Sequence, residues 1–219
     1  MKELQSLKEK NTKVLMRYIQ NLGIDLAGVA DLKRIEGMPL GIPEGSANFL
    51  NKYKYAVVLG AQLGKIGHKA SGDKVSLFLE KAALDVVEFI QGKRYFALII
   101  HTEDEFDPAK RIGLMSLKVL AKAAGLGWQG RSLLVVSPEY GPIHRLIAVL
   151  TDMPIMADKP LSNECGDCSE CVDKCPKGSL TLIPFKDHPE EREDVLNIIT
   201  CLGDDGCMVC INVCPWIKK

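Results

Sequence analysis

The chain has 219 residues, of which 47% are apolar and 26% are charged, with 28 basic and 28 acidic side chains. This composition excludes a mainly disordered protein, and the zero net charge argues against nucleic acid as a partner. No apolar run has membrane-spanning length and the N-terminal stretch lacks the apolar segment of a signal peptide, so we expect a cytoplasmic protein without membrane contact.

Apolar periodicity predicts alternating helices and strands over the first 155 residues. Helices are predicted over 3–22, 73–91 and 109–124, and strands over 24–30, 55–62, 94–101, 133–137 and 143–151. The last two strands are predicted to pair through a turn at 138–142. This alternation indicates a layered α/β domain over 1–158, with a linker at 156–164 and a second domain over 159–219.

The two parts differ in charge. Residues 165–219 carry 6 basic and 10 acidic side chains, whereas the first 164 residues carry 22 basic and 18 acidic ones. A net charge of −4 against +4 suggests that the two parts have different roles.

All eight cysteines lie between residues 165 and 214, in two runs that each end in Cys-Pro. The first run, with spacing C-x2-C-x2-C-x3-C-P, matches the pattern of bacterial two-cluster ferredoxins, in which the fourth cysteine ligates the other cluster. The spacing therefore predicts two [4Fe–4S] clusters. Their ligands would be a first cysteine set of Cys165, Cys168, Cys171 and Cys214, and a second cysteine set of Cys175, Cys201, Cys207 and Cys210.

Two zinc sites are the alternative, although zinc sites favour paired C-x2-C units with longer spacers. Among the predicted ligands, Cys201 fits the pattern least well, because five residues separate it from Cys207 where two are usual. The insert, 202–206 (LGDDG), has turn-forming residues that allow it to loop out. We expect short helices after each Cys-Pro, and a fold in this part that depends on the metal.

A glycine-rich loop over 125–131 contains the pattern G-x-G-x-x-G. The dinucleotide-binding fingerprint needs a strand before the loop and a helix after it, and here the predicted order is reversed. Two interpretations remain: a tight connection with Trp128 in the core, or a backbone platform for a flat cofactor or a nearby cluster. The candidate cofactor-binding residues are Gly125, Gly127, Trp128, Gly130 and Arg131.

Histidines are interpreted as structural. His144 stands beside Arg145 at the start of a predicted strand, and a lone histidine on a strand is more often structural than catalytic. We apply the same interpretation to His68 and His188.

Several segments resemble epoxyqueuosine reductases and their short iron–sulfur relatives. They are 23–30 (GIDLAGVA), 125–132 (GLGWQGRS), 133–142 (LLVVSPEYGP), 150–154 (LTDMP) and the ending 214–216 (CPW). These enzymes share a cobalamin-binding core with reductive dehalogenases. The resemblance implies a nitroreductase-like α/β domain of the cobalamin-binding type, followed by a bacterial two-cluster ferredoxin-like module. It also implies that the two clusters supply electrons to a corrinoid held by the N-terminal domain.

The chain differs from this family in the residue that would act as general acid. Those enzymes supply it from an Asp-x-x-Pro segment and a nearby Glu-Arg that precede the glycine loop. The corresponding stretch, 111–118 (RIGLMSLK), has no acid, so Asp107 is the candidate catalytic residue. The family also has a C-terminal helical-repeat region that helps to hold tRNA, and this chain ends three residues after Trp216. With zero net charge, we expect a substrate other than tRNA.

Two functions remain open. The chain is either a corrinoid-dependent reductase of an unidentified substrate, or an electron-transfer protein with no cofactor in its N-terminal domain that donates to a partner protein. FMN is a third occupant for the same kind of fold. The expected electron donor is a ferredoxin or flavodoxin, and the acceptor is a small molecule or a protein.

Overall fold

The computed structural model describes residues 2–35, 51–64, 72–102, 115–184, 192–203 and 206–217. The helices are α1 (Lys2–Asn21), α2 (Gly72–Gly92), α3 (Leu117–Ala123), α4 (Glu170–Asp173) and α5 (Val209–Asn212). The strands are β1 (Leu26–Asp31), β2 (Tyr55–Gln62), β3 (Ala97–Ile100), β4 (Trp128–Gln129), β5 (Val135–Val136) and β6 (His144–Thr151). Short 3-10 turns occupy Leu32–Ile35 and Arg192–Asp194.

A four-stranded sheet in the order β1-β2-β6-β3 forms the centre of the first part of the chain, and all its neighbouring strands are antiparallel. Val57 of β2 pairs with Val29 on one side and with Val149 on the other. Every residue of β2 before Gln62 is buried, as expected for a central strand covered on both faces.

Helices cover both faces of this sheet, because successive strand residues point to opposite sides. On one face Val57 and Leu59 pack with Leu15 of α1 and Leu79 of α2. On the other face neighbouring strand residues, including Val58, pack with α3 and with the loop that follows it. The predicted layered α/β fold is confirmed as a mixed α/β structure.

The prediction that the strands over 133–137 and 143–151 pair with each other is wrong. β6 pairs with β2 and β3, whereas β5 pairs with β4, so the two strands lie in different sheets. The turn after β5 closes with a bridge between Ser137 and Gly141 and does not join β5 to β6 as a hairpin. Adjacent strands in sequence favour a hairpin, but β2, which has eight residues and is buried up to Ala61, offers β6 more buried pairing.

The segment predicted as a linker is fastened to the sheet at its start. The backbone N–H of Asp158 donates to the Val29 carbonyl at 2.8 Å, and its carboxylate accepts from the Val29 N–H at the same distance. The Met156 N–H donates to the Thr12 hydroxyl at 2.8 Å. The division between residues 158 and 159 remains a prediction.

The cysteine-containing part has little regular structure among its described residues. Its short helices α4 and α5 contact each other, and they precede Cys175-Pro176 and Cys214-Pro215. No helix follows Cys175-Pro176 over the described residues 177–184, and the residues after 217 lie outside the described part of the chain. A residue before proline is disfavoured in the helical region, so each helix ends ahead of the pair. Among the described residues, no helix is long and apolar enough to cross a membrane.

Candidate functional site

The first cysteine set lies together in space. The pKa of the Cys171 thiol is raised to about 11, first by burial and then by the nearby sulfurs of Cys165, Cys210, Cys168 and Cys214. Burial also raises the pKa of Cys214, with contributions from Cys165 and Cys168. Burial and neighbouring sulfurs thus disfavour the thiolate forms of Cys171 and Cys214, and a bound cation would reverse this by displacing their protons.

The second cysteine set forms a neighbouring group. Burial raises the pKa of Cys210, and the sulfurs of Cys207, Cys201 and Cys175 raise it further, against a backbone N–H of Ile211 that lowers it. Cys210 also acts on Cys171 of the first set, so the two groups are adjacent. The structure brings together the same sets of four that the spacing predicts, including Cys201, while their role as cluster ligands stays a prediction.

In the described ranges, no three histidine, cysteine, aspartate or glutamate side chains are arranged to hold a single metal ion. Both cysteine sets are half-buried, with neither sealed off from the surface.

Ser179 connects the stretch that carries Cys175 with the stretch that carries Cys201. It is 1% exposed, its N–H donates to the Cys175 sulfur at 3.3 Å, and its hydroxyl lies 2.8 Å from the hydroxyl of Thr200, next to Cys201. Its carbonyl accepts from the Asn197 N–H at 2.9 Å. This residue therefore joins two stretches of the chain that are distant in sequence.

Cys175 differs from the other shifted cysteines. Burial raises its pKa, but hydrogen bonds from the backbone N–H groups of Lys177, Ser179 and Leu180 and from the Ser179 hydroxyl outweigh burial, so the pKa is lowered. The Cys175 sulfur is thus already surrounded by donors that stabilise negative charge.

A cavity of about 380 Å³ separates the sheet from the second cysteine set. Its wall on the sheet side comes from the ends of β2 and β6, from the start of α3 and from the loop around β5. The opposite wall includes all four cysteines of the second set. This volume is within the roughly 300–1,000 Å³ typical of small-molecule sites, and a bound molecule would touch both parts of the chain.

The polar part of the cavity wall is cationic. Lys118, Arg145, Lys177 and Arg192 line it, and no carboxylate does among the described residues. Lys118 is exposed along the wall, but the surrounding protein lowers the pKa of its ammonium by desolvation; Arg192 lowers it further and Cys201 opposes this. The cavity thus favours anionic or electron-rich groups.

Two buried polar atoms of wall residues have no hydrogen-bond partner within the described chain. They are the Thr102 hydroxyl oxygen and Nδ1 of His144. Desolvation lowers the pKa of His144 to about 4, despite a backbone hydrogen bond at Gly141 that raises it, so the ring is neutral at pH 7. Buried polar atoms without partners are costly, so both atoms fit a site completed by a bound molecule.

At each of the three glycines of the loop, an added Cβ would lie close to other protein atoms. None of the five candidate residues of the loop lines the cavity. A Cβ at Gly127 would collide with the Val136 carbonyl, and one at Gly125, where φ is +70°, would lie 2.5 Å from the Lys159 carbonyl. A Cβ at Gly130 would lie 3.6 Å from the Cys165 sulfur. This favours a tight connection beside the first cysteine set, and the cofactor role of these residues remains a prediction.

Trp128 and Arg131 connect the loop to the cysteine-containing part. The Trp128 ring is buried and meets Trp216 edge-on, with ring centroids 4.8 Å apart. The Arg131 guanidinium donates to the Ile183 carbonyl at 3.1 Å and to the Gly166 carbonyl at 2.9 Å. These contacts fix the first cysteine set against β4 and β5.

Some candidates lie outside the described residues, namely Asp107, His68 and His188. Sequence reasoning missed Lys118 and Ser179, and it treated His144 as structural although it lines the cavity. Nothing in the local pattern marks Lys118, which follows a capping serine on a short helix. Ser179 lies four residues after Cys175, and this closeness was the available signal.

No family model matches the chain. Among curated proteins, an epoxyqueuosine reductase from Bacillus cereus is 33% identical over 118 residues, covering 47% of this chain and 30% of that protein. One from Leadbetterella byssophila is 29% identical over 182 residues, covering 76% of this chain and 51% of that protein. The chain thus spans about a third to a half of the length of these relatives.

Solved structures share the fold. A selenomethionine-labelled epoxyqueuosine reductase superposes with a TM-score of 0.69 at 19% identity, over 94% of this chain and 65% of that one. An epoxyqueuosine reductase with an epoxyqueuosine-modified tRNA-Tyr stem loop gives 0.67 at 21% identity, over 94% of this chain and 65% of that one. A reductive dehalogenase described as B12-dependent gives 0.72 at 18% identity, over 97% of this chain and 32% of that one. The resemblance to epoxyqueuosine reductases is thus confirmed in sequence, and the chain has the fold of these reductases and of reductive dehalogenases.

Proposed function

We propose that this chain is an iron–sulfur redox protein of the epoxyqueuosine reductase type, with two [4Fe–4S] clusters beside a corrinoid in the cavity. The observation that carries the proposal is the cavity itself, which has the second cysteine set as one wall and the sheet as the other. The bound groups would supply single-electron chemistry, since iron–sulfur clusters and corrinoids both change charge by one electron at a time.

The cysteines fit the clusters by number, grouping and environment. Each set supplies four thiols without disulfide bonds, and the neighbouring sulfurs that raise the pKa of Cys171 and of Cys210 indicate proximity. Around Cys175 the chain provides four hydrogen-bond donors before any metal is present, so the binding geometry is preorganised. Few other residues of this part are buried, so ligation would supply stability that packing does not.

The cavity wall offers the kinds of contact that an organic cofactor with polar substituents would need. Leu63, Leu134, Val135 and Leu146 provide apolar contact, while the basic side chains and the neutral His144 provide hydrogen bonds. The similarity of fold to a B12-dependent dehalogenase makes a corrinoid the first candidate and FMN the second. The electron-carrier alternative, with nothing in the N-terminal part, leaves the unpartnered atoms of Thr102 and His144 unexplained.

A modified RNA stem loop is the proposed substrate class. The expectation that nucleic acid is excluded rested on zero net charge, and the structural neighbour that holds a tRNA stem loop runs against it. Net charge averages over the chain, whereas the first 164 residues carry a surplus of four basic side chains and the described cavity wall is cationic. Local positive charge is what phosphate recognition requires.

The test is anaerobic reconstitution with iron and sulfide, followed by titration with cobalamin and with FMN under visible absorption. We expect about eight iron per chain, as two four-iron clusters require, and saturable binding of cobalamin. The loaded protein is then incubated with a reductant and an epoxyqueuosine-bearing stem loop, and mass spectrometry follows reduction of the nucleoside.

A matched pair of variants links binding to the cavity. Leu134→Trp places a large ring in the wall and should abolish cobalamin binding, whereas Leu161→Trp lies outside the lining residues and should leave it intact. Stoichiometric zinc without iron would overturn the cluster assignment. Iron-loaded protein that binds neither cobalamin nor FMN would instead support the electron-carrier function.

A further inference from the structure

The two cysteine sets lie in opposite electrostatic surroundings. Exposed acidic residues flank the first set along the chain, at Glu164, Asp167, Glu170 and Asp173. The second set faces the cavity wall, where the described charged residues are all basic. A negative environment disfavours adding an electron to a cluster, and a positive one favours it.

Hydrogen bonds add to this difference. The Cys175 sulfur accepts from the Ser179 N–H at 3.3 Å, and the Ser179 hydroxyl also reaches this sulfur from a position 2.8 Å from the Thr200 hydroxyl. Ser179 is buried, so solvent does not compete strongly for these donors. Hydrogen bonds to cluster sulfurs stabilise the more negative, reduced state and raise its reduction potential.

Lys118 supplies a positive charge on the cavity side of the second set. Its ammonium interacts with Cys201 and lines the same cavity as Cys175 and Cys210. This side chain is exposed along the cavity wall, so its charge faces the space between the sheet and the second set. The insert after Cys201 also carries Asp204 and Asp205, which lie outside the described residues, so a measured potential includes their opposing charge.

We propose that Ser179 and Lys118 are positioning residues that raise the reduction potential of the cluster bound by the second set above that of the cluster bound by the first. This inference rests on the proposed pair of clusters and is independent of the corrinoid and of the substrate. It assigns the higher-potential centre to the side that faces the cavity.

The experiment is a potentiometric titration of the reconstituted full-length protein, with the reduced clusters followed by electron paramagnetic resonance. Cys207→Ala removes one ligand of the second set and identifies its signal. We expect two midpoint potentials in the parent protein, and Cys207→Ala should remove the higher one. Loss of the lower one would overturn the proposed order, and so would two equal potentials.

Separate variants test each residue. Ser179→Ala removes the hydroxyl donor, and Lys118→Met removes the charge at similar length; each should lower the second-set potential and leave the first unchanged. Lys118→Arg keeps the charge and should restore the parent value. Ser169→Ala, next to Cys168, is the matched control and should shift neither potential, because its hydroxyl donates to Asp173 at 2.6 Å.

If Ser179→Ala loads less iron than the parent, Lys118→Met alone decides the outcome. Unchanged potentials in iron-loaded Lys118→Met would overturn the role of this lysine, and unchanged potentials in both variants would overturn the proposal while leaving the clusters established. Absence of any cluster signal in the parent protein would overturn the proposed function and this inference together.

Discussion

The α/β region (residues 2–158) and the cysteine region (159–217) are stabilised by different physics. In the α/β region two groups of buried apolar side chains cover the faces of a sheet, and no fully buried member of either group lies after Ile155. In the described part of the cysteine region only four residues are buried, namely Ser179, Leu180, Val195 and Ile211. Burial thus accounts for the first region, whereas the second has few buried side chains to stabilise it, which is why we propose metal ligation there.

The difference also explains where the cavity lies. A tightly packed sheet cannot provide a large void without loss of stability. The cysteine region, with four buried residues in its described part, leaves open space beside the sheet. The cavity therefore lies at the junction, where the ends of β2 and β6 meet the second cysteine set.

Removal of metal should have the largest effect on stability, and it tests directly whether the two regions are stabilised differently. We expect a chelator in air to expose the cysteine region to proteolysis and hydrogen exchange, while the α/β region keeps its protection. Protein kept anaerobic without chelator is the control. Equal cleavage throughout the metal-free chain would show that the two regions are one cooperative unit.

Gly127→Ala should destabilise the α/β region by about 1–3 kcal/mol, because the added Cβ collides with the backbone carbonyl of Val136. The measurement is urea unfolding of the loaded protein, with iron content unchanged. Gly64→Ala is the matched control, since its Cβ would meet no atom within 4 Å. Weakened cobalamin binding at unchanged stability would instead favour the glycine loop as a cofactor platform.

We expect the stability of the protein to fall in acid because of His144, which lies in the α/β wall of the cavity. Desolvation lowers its folded pKa to about 4 from 6.5, so between these values the unfolded chain binds the proton and the folded one does not. Protonation of His144 therefore does not lower the free energy of unfolding above pH 6.5. As the pH falls to about 4, the free energy of unfolding drops by on the order of 2 kcal/mol, a figure that is reduced for the partial exposure of the ring.

The check is a series of urea midpoints at several pH values for the parent and for His144→Gln. Because the variant cannot titrate in this range, the difference between the two curves should narrow as the pH falls. A constant difference would show that His144 is not buried as a neutral ring. The comparison between two proteins cancels the acid sensitivity of the cysteine region.

Arg131→Met should have the smallest effect, about 1 kcal/mol, because it removes two donors that join the regions. We expect faster hydrogen exchange around Gly166 and Ile183, with the sheet unaffected. Arg17→Met, at an exposed position of α1, is the control. No change in exchange would mean that the contact of Trp128 with Trp216 holds the regions together without the arginine.

The sequence by itself determined what depends on neighbours along the chain. It predicted the strand over 55–62 to the residue, the helix that ends before Gly23 and the helix over 73–91, because apolar periodicity and a glycine with φ of +77° at position 23 are local signals. The division of the cysteines into two ligand sets stays a prediction from their spacing, since cluster-binding loops require fixed spacing.

Tertiary structure alone decided the features that join distant stretches of chain. The choice of β2 rather than β5 as partner of β6 depends on which surface is buried, and no local pattern records it. The glycines at 127 and 130 are explained by Val136 and Cys165, which reach them only after folding. Lys118 and Ser179 acquire their positions beside the second cysteine set in the same way, because electrostatic and hydrogen-bonding contacts act through space and not along the sequence.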